Sequence, residues 1–151
     1  MQKKLKICLV SSSGGHYEQL KMLKTLGQEN EIFFVTEKTD YKVKADFYLP
    51  QTGSNDKKFI LKMTKNLFQS LKIWIQEKPD IVITTGTVVA IPLALLAKIA
   101  GKKLIYIETY ARVNDGTKAG KFMYRFADLF IVQWKSLLNI YPKAIYGGSI
   151  Y

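Results

Sequence analysis

An α/β fold is what this sequence predicts: one doubly wound, Rossmann-like parallel sheet with helices on both faces. Short apolar runs recur along the 151 residues and alternate with longer amphipathic stretches. Gly27, Pro79 and Gly101 stand where three of those stretches have to stop. Strands separated by helices pair in parallel through right-handed crossovers. Hydrophobic residues make up 48% of the chain, enough for a real core, and the length suits one domain over residues 1–151.

Each element has a local reason. Residues 5–12 read as a strand because Ile7-Cys8-Leu9-Val10 is an unbroken apolar run. The single cysteine, Cys8, cannot form an internal disulfide and reads as a small buried hydrophobe. Residues 16–26 form an amphipathic helix closed by Gly27, and 31–36 a second strand. A short third strand covers 46–50, and the polar stretch 51–58 is a loop. Residues 59–76 form a long helix stopped by Pro79. Then come a strand at 80–84, a helix at 88–100 ending at Gly101, and a strand at 103–108. The functional loop 109–118 leads to a short helix at 119–126, and strand 128–132, helix 135–140 and strand 143–146 complete the pattern.

The uncharged stretch 81–97 approaches membrane-spanning length, but Thr84-Thr85-Gly86-Thr87 and Pro92 interrupt it. Its apolar block, 88–97, is far shorter than the ~20 residues a spanning helix needs, so it reads as strand, turn and buried helix. The first apolar run is likewise too short for a signal peptide. Net charge is +11, from 23 Lys and Arg against 12 Asp and Glu. That excess favours an anionic partner: nucleic acid, an acidic membrane surface or a phosphorylated substrate. Nucleic acid is disfavoured by pattern, with no RNP-like aromatic strand, no zinc-ligand spacing and no helix-turn-helix. No metal or cofactor is called for.

Ligands of such sheets bind beyond the carboxyl ends of the strands, so the loops to weigh are 11–16, 84–87, 108–115 and 133–135. In the first, Ser12, Ser13, Gly14 and Gly15 join a strand to a helix N-terminus, an arrangement that suits a phosphate or diphosphate. It is not a G-x-G-x-x-G fingerprint and no Walker lysine follows, and a plain tight turn is the competing account. His16 is the only histidine and the natural general-base candidate, its unperturbed pKa lying near neutrality. Glu18 suits either helix capping or ligand contact. Thr85, Gly86 and Thr87 offer hydroxyls and a second helix start at the same sheet edge. Arg112 could grip phosphate through its planar fork, or pair with Glu108.

On a helical wheel of 59–76, Ile60, Met63, Leu67, Leu71 and Trp74 form a core stripe. Leu61, Phe68 and Ile75 form a second stripe, with Lys58, Lys65 and Lys72 beside it. An apolar edge flanked by lysines is what an interfacial helix presents to an anionic bilayer. The competing account packs Leu61 and Phe68 beneath the 51–58 loop.

These loops, in this order, resemble the acceptor-side half of a GT-B glycosyltransferase. Ser13-Gly14-Gly15-His16 with Glu18 close behind resembles an S-G-G-H-x-x-E signature, the glutamate standing one residue nearer the histidine. Ile107-Glu108-Thr109-Tyr110-Ala111-Arg112-Val113 and Asp128-Leu129-Phe130-Ile131-Val132-Gln133-Trp134 resemble two further signatures of one subgroup. It contains the bacterial PssD/CpsF-type exopolysaccharide proteins and the acceptor-side, membrane-recruiting subunit of the eukaryotic lipid-linked-oligosaccharide N-acetylglucosaminyltransferase. The likeness runs from about Lys6 to Tyr151.

The resemblance implies a split enzyme. This chain would bind a polyprenyl-diphosphate-sugar acceptor at the cytoplasmic face of the cell membrane, as a peripheral subunit in capsular or exopolysaccharide synthesis. A donor-binding catalytic subunit would supply the nucleotide-sugar half, with Gly148, Ile150 and Tyr151 docking on it. The eukaryotic subunits carry an N-terminal membrane helix, whose place the wide basic helix is expected to take. The acceptor diphosphate is expected on Ser12, Ser13, Gly14, Gly15, Thr85, Gly86, Thr87 and Arg112. His16 would activate the acceptor hydroxyl, with Glu18 or Glu108 orienting the histidine or a sugar hydroxyl. The rivals are a stand-alone or homodimeric transferase and a non-catalytic membrane scaffold.

Overall fold

The computed structural model describes residues 3–40, 43–53 and 55–151, so residue 54 of the expected 51–58 loop lies outside the described residues. Among the described residues, seven strands form one parallel sheet: β1 (Lys6–Val10), β2 (Glu31–Glu37), β3 (Phe47–Leu49), β4 (Ile81–Thr84), β5 (Lys103–Ile107), β6 (Leu129–Val132) and β7 (Ile145–Tyr146). Their order is β3-β2-β1-β4-β5-β6-β7. Strands sandwiched between two layers are apolar on both faces, which is why Cys8, Leu9 and Val10 are all buried.

Four α-helices cover the sheet: α1 (Gly15–Lys21), α2 (Phe59–Glu77), α3 (Ile91–Ile99) and α4 (Lys118–Met123). The larger core joins Phe33, Val35 and Val82 to Ile73 of α2, Leu93 and Ala97 of α3, and Met123 of α4. The opposite face is covered by α1, through Tyr17 and Leu20 on Leu9, Ile83 and Ile107, with Ile150 packed at its edge. Two expected helices are tighter than predicted. Beyond α1 the chain continues as a 3-10 turn, Met22–Gln28. Leu23 and Leu26 both pack against the α1-side core; a three-residue spacing aligns at three residues per turn. Lys135–Asn139 is also 3-10, and Val88–Ala90 forms a 3-10 turn ahead of α3.

The expected core stripe of α2 is misplaced. Asn66, Ser70 and Ile73 are its buried residues, while Ile60 is 80% exposed and Leu67 is exposed too. Asn66 Nδ2 donates to the Val89 carbonyl at 3.0 Å, and Ser70 Oγ donates to Asn66 Oδ1 at 2.8 Å. A polar pair that satisfies itself can be buried at little cost. The second stripe stands clear of the protein, with Leu61 54%, Phe68 68% and Ile75 67% exposed. It is not packed beneath the preceding loop.

The topology also places the candidate site. β1 leads to β2 on one side, and the chain later returns to β4 on the other side of β1. Strand order therefore reverses between β1 and β4, where open α/β sheets form their ligand crevice.

Candidate functional site

The loops after β1 and β4 meet across that switch point. Gly14 (φ +77°) is the N-cap residue of α1, and a Cβ added to Gly14 or Gly15 would meet nothing within 4 Å. The space before this short helix is therefore open. His16 Nδ1 lies 2.8 Å from the Thr85 carbonyl, and Thr85 Oγ1 donates to the His16 carbonyl at 2.7 Å. A carbonyl can only accept, so Nδ1 carries the proton and Nε2 of the neutral ring keeps its lone pair. The orienting group is this carbonyl, not Glu18 or Glu108. Glu18 does not cap α1 through its side chain; it pairs with Lys21 at 2.8 Å.

The second loop is strained. Gly86 has φ +109°, and a Cβ there would lie 2.6 Å from the Tyr106 hydroxyl. Thr87, a β-branched residue, is held at φ +81°. Its Oγ1 is shut off from solvent and has no hydrogen-bond partner among the described residues. Strain of this kind persists only where surrounding structure enforces it, and it concentrates at ligand clamps.

Ser12, His16 and Thr87 line a cleft of about 370 Å³ together with Glu37, Thr52, Thr117 and Lys118. Two of these residues alter the expected chemistry. Glu37, nearly buried, accepts from Ser13 N–H at 3.2 Å and Ser13 Oγ at 3.0 Å. Both donors of Ser13 are thus committed to a carboxylate. Lys118 brings a cation to the cleft wall, where Arg112 was expected. Arg112 instead pairs with Asp115 at 2.7 Å, is exposed, and does not line the cleft. It pairs with Glu108 no more than with the cleft.

Glu108 is fully buried. Its carboxylate accepts from Thr109 N–H at 3.0 Å, Thr117 N–H at 3.1 Å and the Tyr141 hydroxyl at 2.9 Å. Thr117 Oγ1 sits 3.0 Å from Oε1 and in turn caps α4 by accepting from Gly120 N–H at 2.9 Å. Burial, then the Glu108 charge, pushes the Tyr141 hydroxyl pKa well up, so it stays a donor. Glu108 ties down both ends of the 109–117 loop and sets the start of α4, which carries Lys118.

A second buried network was not anticipated. Gln19 Nε2 donates to Thr109 Oγ1 at 3.1 Å, and Gln19 Oε1 accepts from Tyr110 N–H at 3.2 Å and Gln133 Nε2 at 2.7 Å. Gln133 Oε1 accepts Ile150 N–H at 2.9 Å. Helix α1, the 109–117 loop, the end of β6 and the C-terminal residues are thereby joined. Gly148 turns with φ +73°, Ile150 is partly buried, and exposed Tyr151 sets its ring edge-on to Tyr110 at 5.7 Å. An uncharged glutamine on an amphipathic helix carries no signal of burial, and only the contacts of the folded chain reveal it.

The family model described as "Oligosaccharide biosynthesis protein Alg14 like" matches residues 51–150. This chain belongs to the Alg14-like family. The matched stretch holds the second and third motifs but not the Ser13–His16 loop. Among Alg14-like relatives, the human UDP-N-acetylglucosamine transferase subunit ALG14 is 39% identical over 79 residues, 48% of this chain and 37% of that protein. The Yarrowia lipolytica subunit of the same name is 26% identical over 96% of this chain and 81% of its own length. The chain thus spans little more than a third of the human relative. Among solved structures, Acinetobacter baumannii MurG superposes with a TM-score of 0.69 at 18% identity, over 87% of this chain and 42% of that one. The Rickettsia bellii UDP-N-acetylglucosamine 2-epimerase gives 0.74 at 16%, over 98% and 46%. At such identities the likeness is one of fold: the parallel sheet and its covering helices match less than half of each of those longer chains.

Proposed function

We propose that this chain is the acceptor-binding, membrane-recruiting subunit of a two-component glycosyltransferase that extends a polyprenyl-diphosphate-linked sugar in capsular or exopolysaccharide synthesis. The observation behind this reading is the His16–Thr85 lock, which closes two glycine-bearing loops around an open cleft at the topological switch point. The relatives' names, as subunits of a UDP-N-acetylglucosamine transferase, support a role beside a catalytic partner. The diphosphate is taken by Ser12, Gly14, Gly15 and Thr87, with Lys118 as its counter-cation. Thr85 and Gly86 are buried, with the Thr85 hydroxyl and the Gly86 N–H committed to the His16 carbonyl and Thr84 Oγ1, and they hold the loop instead. Ser13 acts through Glu37, and Arg112 has no part in it.

His16 Nε2 accepts the proton of the acceptor hydroxyl as that oxygen bonds to the anomeric carbon of the donor sugar. The nucleoside diphosphate leaves from the donor held by the partner. The partner docks against Gly148, Ile150 and Tyr151, and deleting residues 149–151 abolishes co-purification; intact co-purification sinks that contact. No helix among the described residues is long and apolar enough to cross a membrane. Leu61, Phe68 and Ile75, exposed along one face of α2, meet the cytoplasmic face of an anionic bilayer, with Lys58, Lys65 and Lys72 each contributing on the order of 1 kcal/mol.

The deciding assay measures sugar transfer to a polyprenyl-diphosphate sugar by this chain, by the candidate partner, and by both. Only the pair is active, and His16→Ala slows it by about 10²–10⁴-fold. Transfer by this chain alone overturns the subunit reading. An unchanged rate for His16→Ala overturns the base role.

A further inference from the structure

Between α2 and α3 the surface opens into a groove of about 380 Å³. Ile60, Met63 and Leu67 form one wall and Ile91, Leu95 and Ile99 the other. The sole hydroxyl-bearing residue on the groove is Thr64, and its Oγ1 is turned back onto the Ile60 carbonyl at 2.9 Å. The side chains of the groove therefore offer a ligand hydrocarbon and little else. Ile60 and Ile99 stand 80% and 83% exposed on its rims, although burying such side chains is favourable.

Two features specify the occupant. The groove starts beside the polar cleft: Val88 lines the cleft, and the turn it opens leads directly into α3, whose first residue, Ile91, lines the groove. Cations gather where the two meet, with Lys57 and Lys58 exposed just before α2 and Lys118 on the cleft wall. From there an uncharged channel follows α3 from Ile91 to Ile99, a rise of about 12 Å. The matching molecule has an anionic head and a linear hydrocarbon tail in line with it.

We infer that the α2–α3 groove binds the head-proximal hydrocarbon of the lipid whose diphosphate occupies the cleft. This rests on the cleft being a diphosphate site. It is separate from the membrane face, because Leu61, Phe68 and Ile75 do not line the groove. Head and first tail segment would be held in one line, which places the acceptor sugar, attached to the far end of the diphosphate, at His16.

The test uses the full chain in solution, without membranes, and measures Kd for farnesyl diphosphate below its micellar concentration, for methyl diphosphate and for farnesol. Farnesyl diphosphate is expected to bind on the order of a hundredfold more tightly than methyl diphosphate. The double substitution Leu67→Asn, Leu95→Asn removes that advantage and leaves methyl diphosphate binding unchanged. Ile99→Asn does the same in part and serves if the double variant fails to fold. Ile145→Asn, at the far edge of the sheet, is the control and leaves all three constants unchanged. Equal affinity for the two diphosphates, or an advantage that survives the groove substitutions, overturns the inference and leaves the cleft reading standing. Farnesol binding that depends on the groove, with no binding of methyl diphosphate, supports the groove and overturns the cleft reading. Binding of none of the three overturns both.

Discussion

Helices α2 and α3 lie side by side on one face of the sheet and obey opposite rules. Helix α3 turns Leu93, Ala94 and Ala97 into the core. Helix α2 turns Asn66 and Ser70 inward and shows Phe68 and Ile75 to the outside. The first pattern is what folding in water selects. The second is not explained by folding alone, since burying the outer stripe would have been favourable and the inner face buries Asn66 and Ser70 beside Ile73. An apolar outer face retained against that preference signals another surface, and the groove between the helices is where the two regimes meet.

The largest effect should come from breaking α3. Leu93→Ala removes a fully buried side chain and should cost about 2–5 kcal/mol in denaturant unfolding. A cost under 1 kcal/mol would mean that α3 is not the structural member of the pair. Next, Asn66→Leu tests the inverted stripe. It leaves the Val89 carbonyl and the Ser70 hydroxyl unpaired, for about 1–3 kcal/mol. Adding Ser70→Ala should recover part of the loss; no recovery would show that the pair is not a unit.

The outer stripe should behave in the reverse sense. Phe68→Ser with Ile75→Ser should change stability by less than about 0.5 kcal/mol. The same pair should weaken flotation with anionic vesicles by on the order of tenfold. Equal binding of the parent to neutral and anionic vesicles would defeat the lysine contribution.

The smallest effect concerns the tie between the far ends of the two helices. Asp80, just after α2, accepts from Lys102, just after α3, at 2.8 Å and from Lys6 N–H at 3.1 Å. The Lys102 hydrogen bond, with the Lys6 N–H behind it, holds the Asp80 pKa below the ordinary carboxylate value. Its stabilisation is complete above the unfolded pKa of roughly 4 and is lost as pH falls through the folded value. Asp80→Asn should therefore melt below the parent at pH 7, with the gap closing under about pH 4. A gap constant down to pH 3 would remove the ion pair from the account.

The parts of the site legible in sequence were those whose signal is local. The Ser11–His16 turn announces itself by a strand run, two glycines and a helix start, and the Thr84–Thr87 turn does the same. Glu108 misled because a carboxylate after a strand reads as crevice-facing. Its partners, Thr117 and Tyr141, are 9 and 33 residues away, and only their convergence shows that the charge is buried and satisfied. Arg112 misled in the same way, since its partner Asp115 competes with any phosphate. Glu37 was missed because it ends β2, away from the loops weighed, and Lys118 because it lies past the 108–115 stretch, at the start of α4. The wheel of α2 failed because it ranks positions by hydrophobicity, and two adjacent apolar stripes drew the inferred core face away from a polar pair that satisfies itself.

The sequence by itself determined the alternation of strands and helices, the parallel sheet, the glycine loops at its carboxyl edge and the family those loops resemble. The first three rest on periodicity and turn chemistry, which act within a few residues; the family rests on the likeness of three motifs. Tertiary structure alone decided which face of α2 is inside, which nitrogen of His16 is free, which carboxylate is a clamp and where an apolar groove meets a polar cleft. Each of those depends on groups far apart in the chain arriving at hydrogen-bonding or packing distance, and only the folded sheet supplies that proximity.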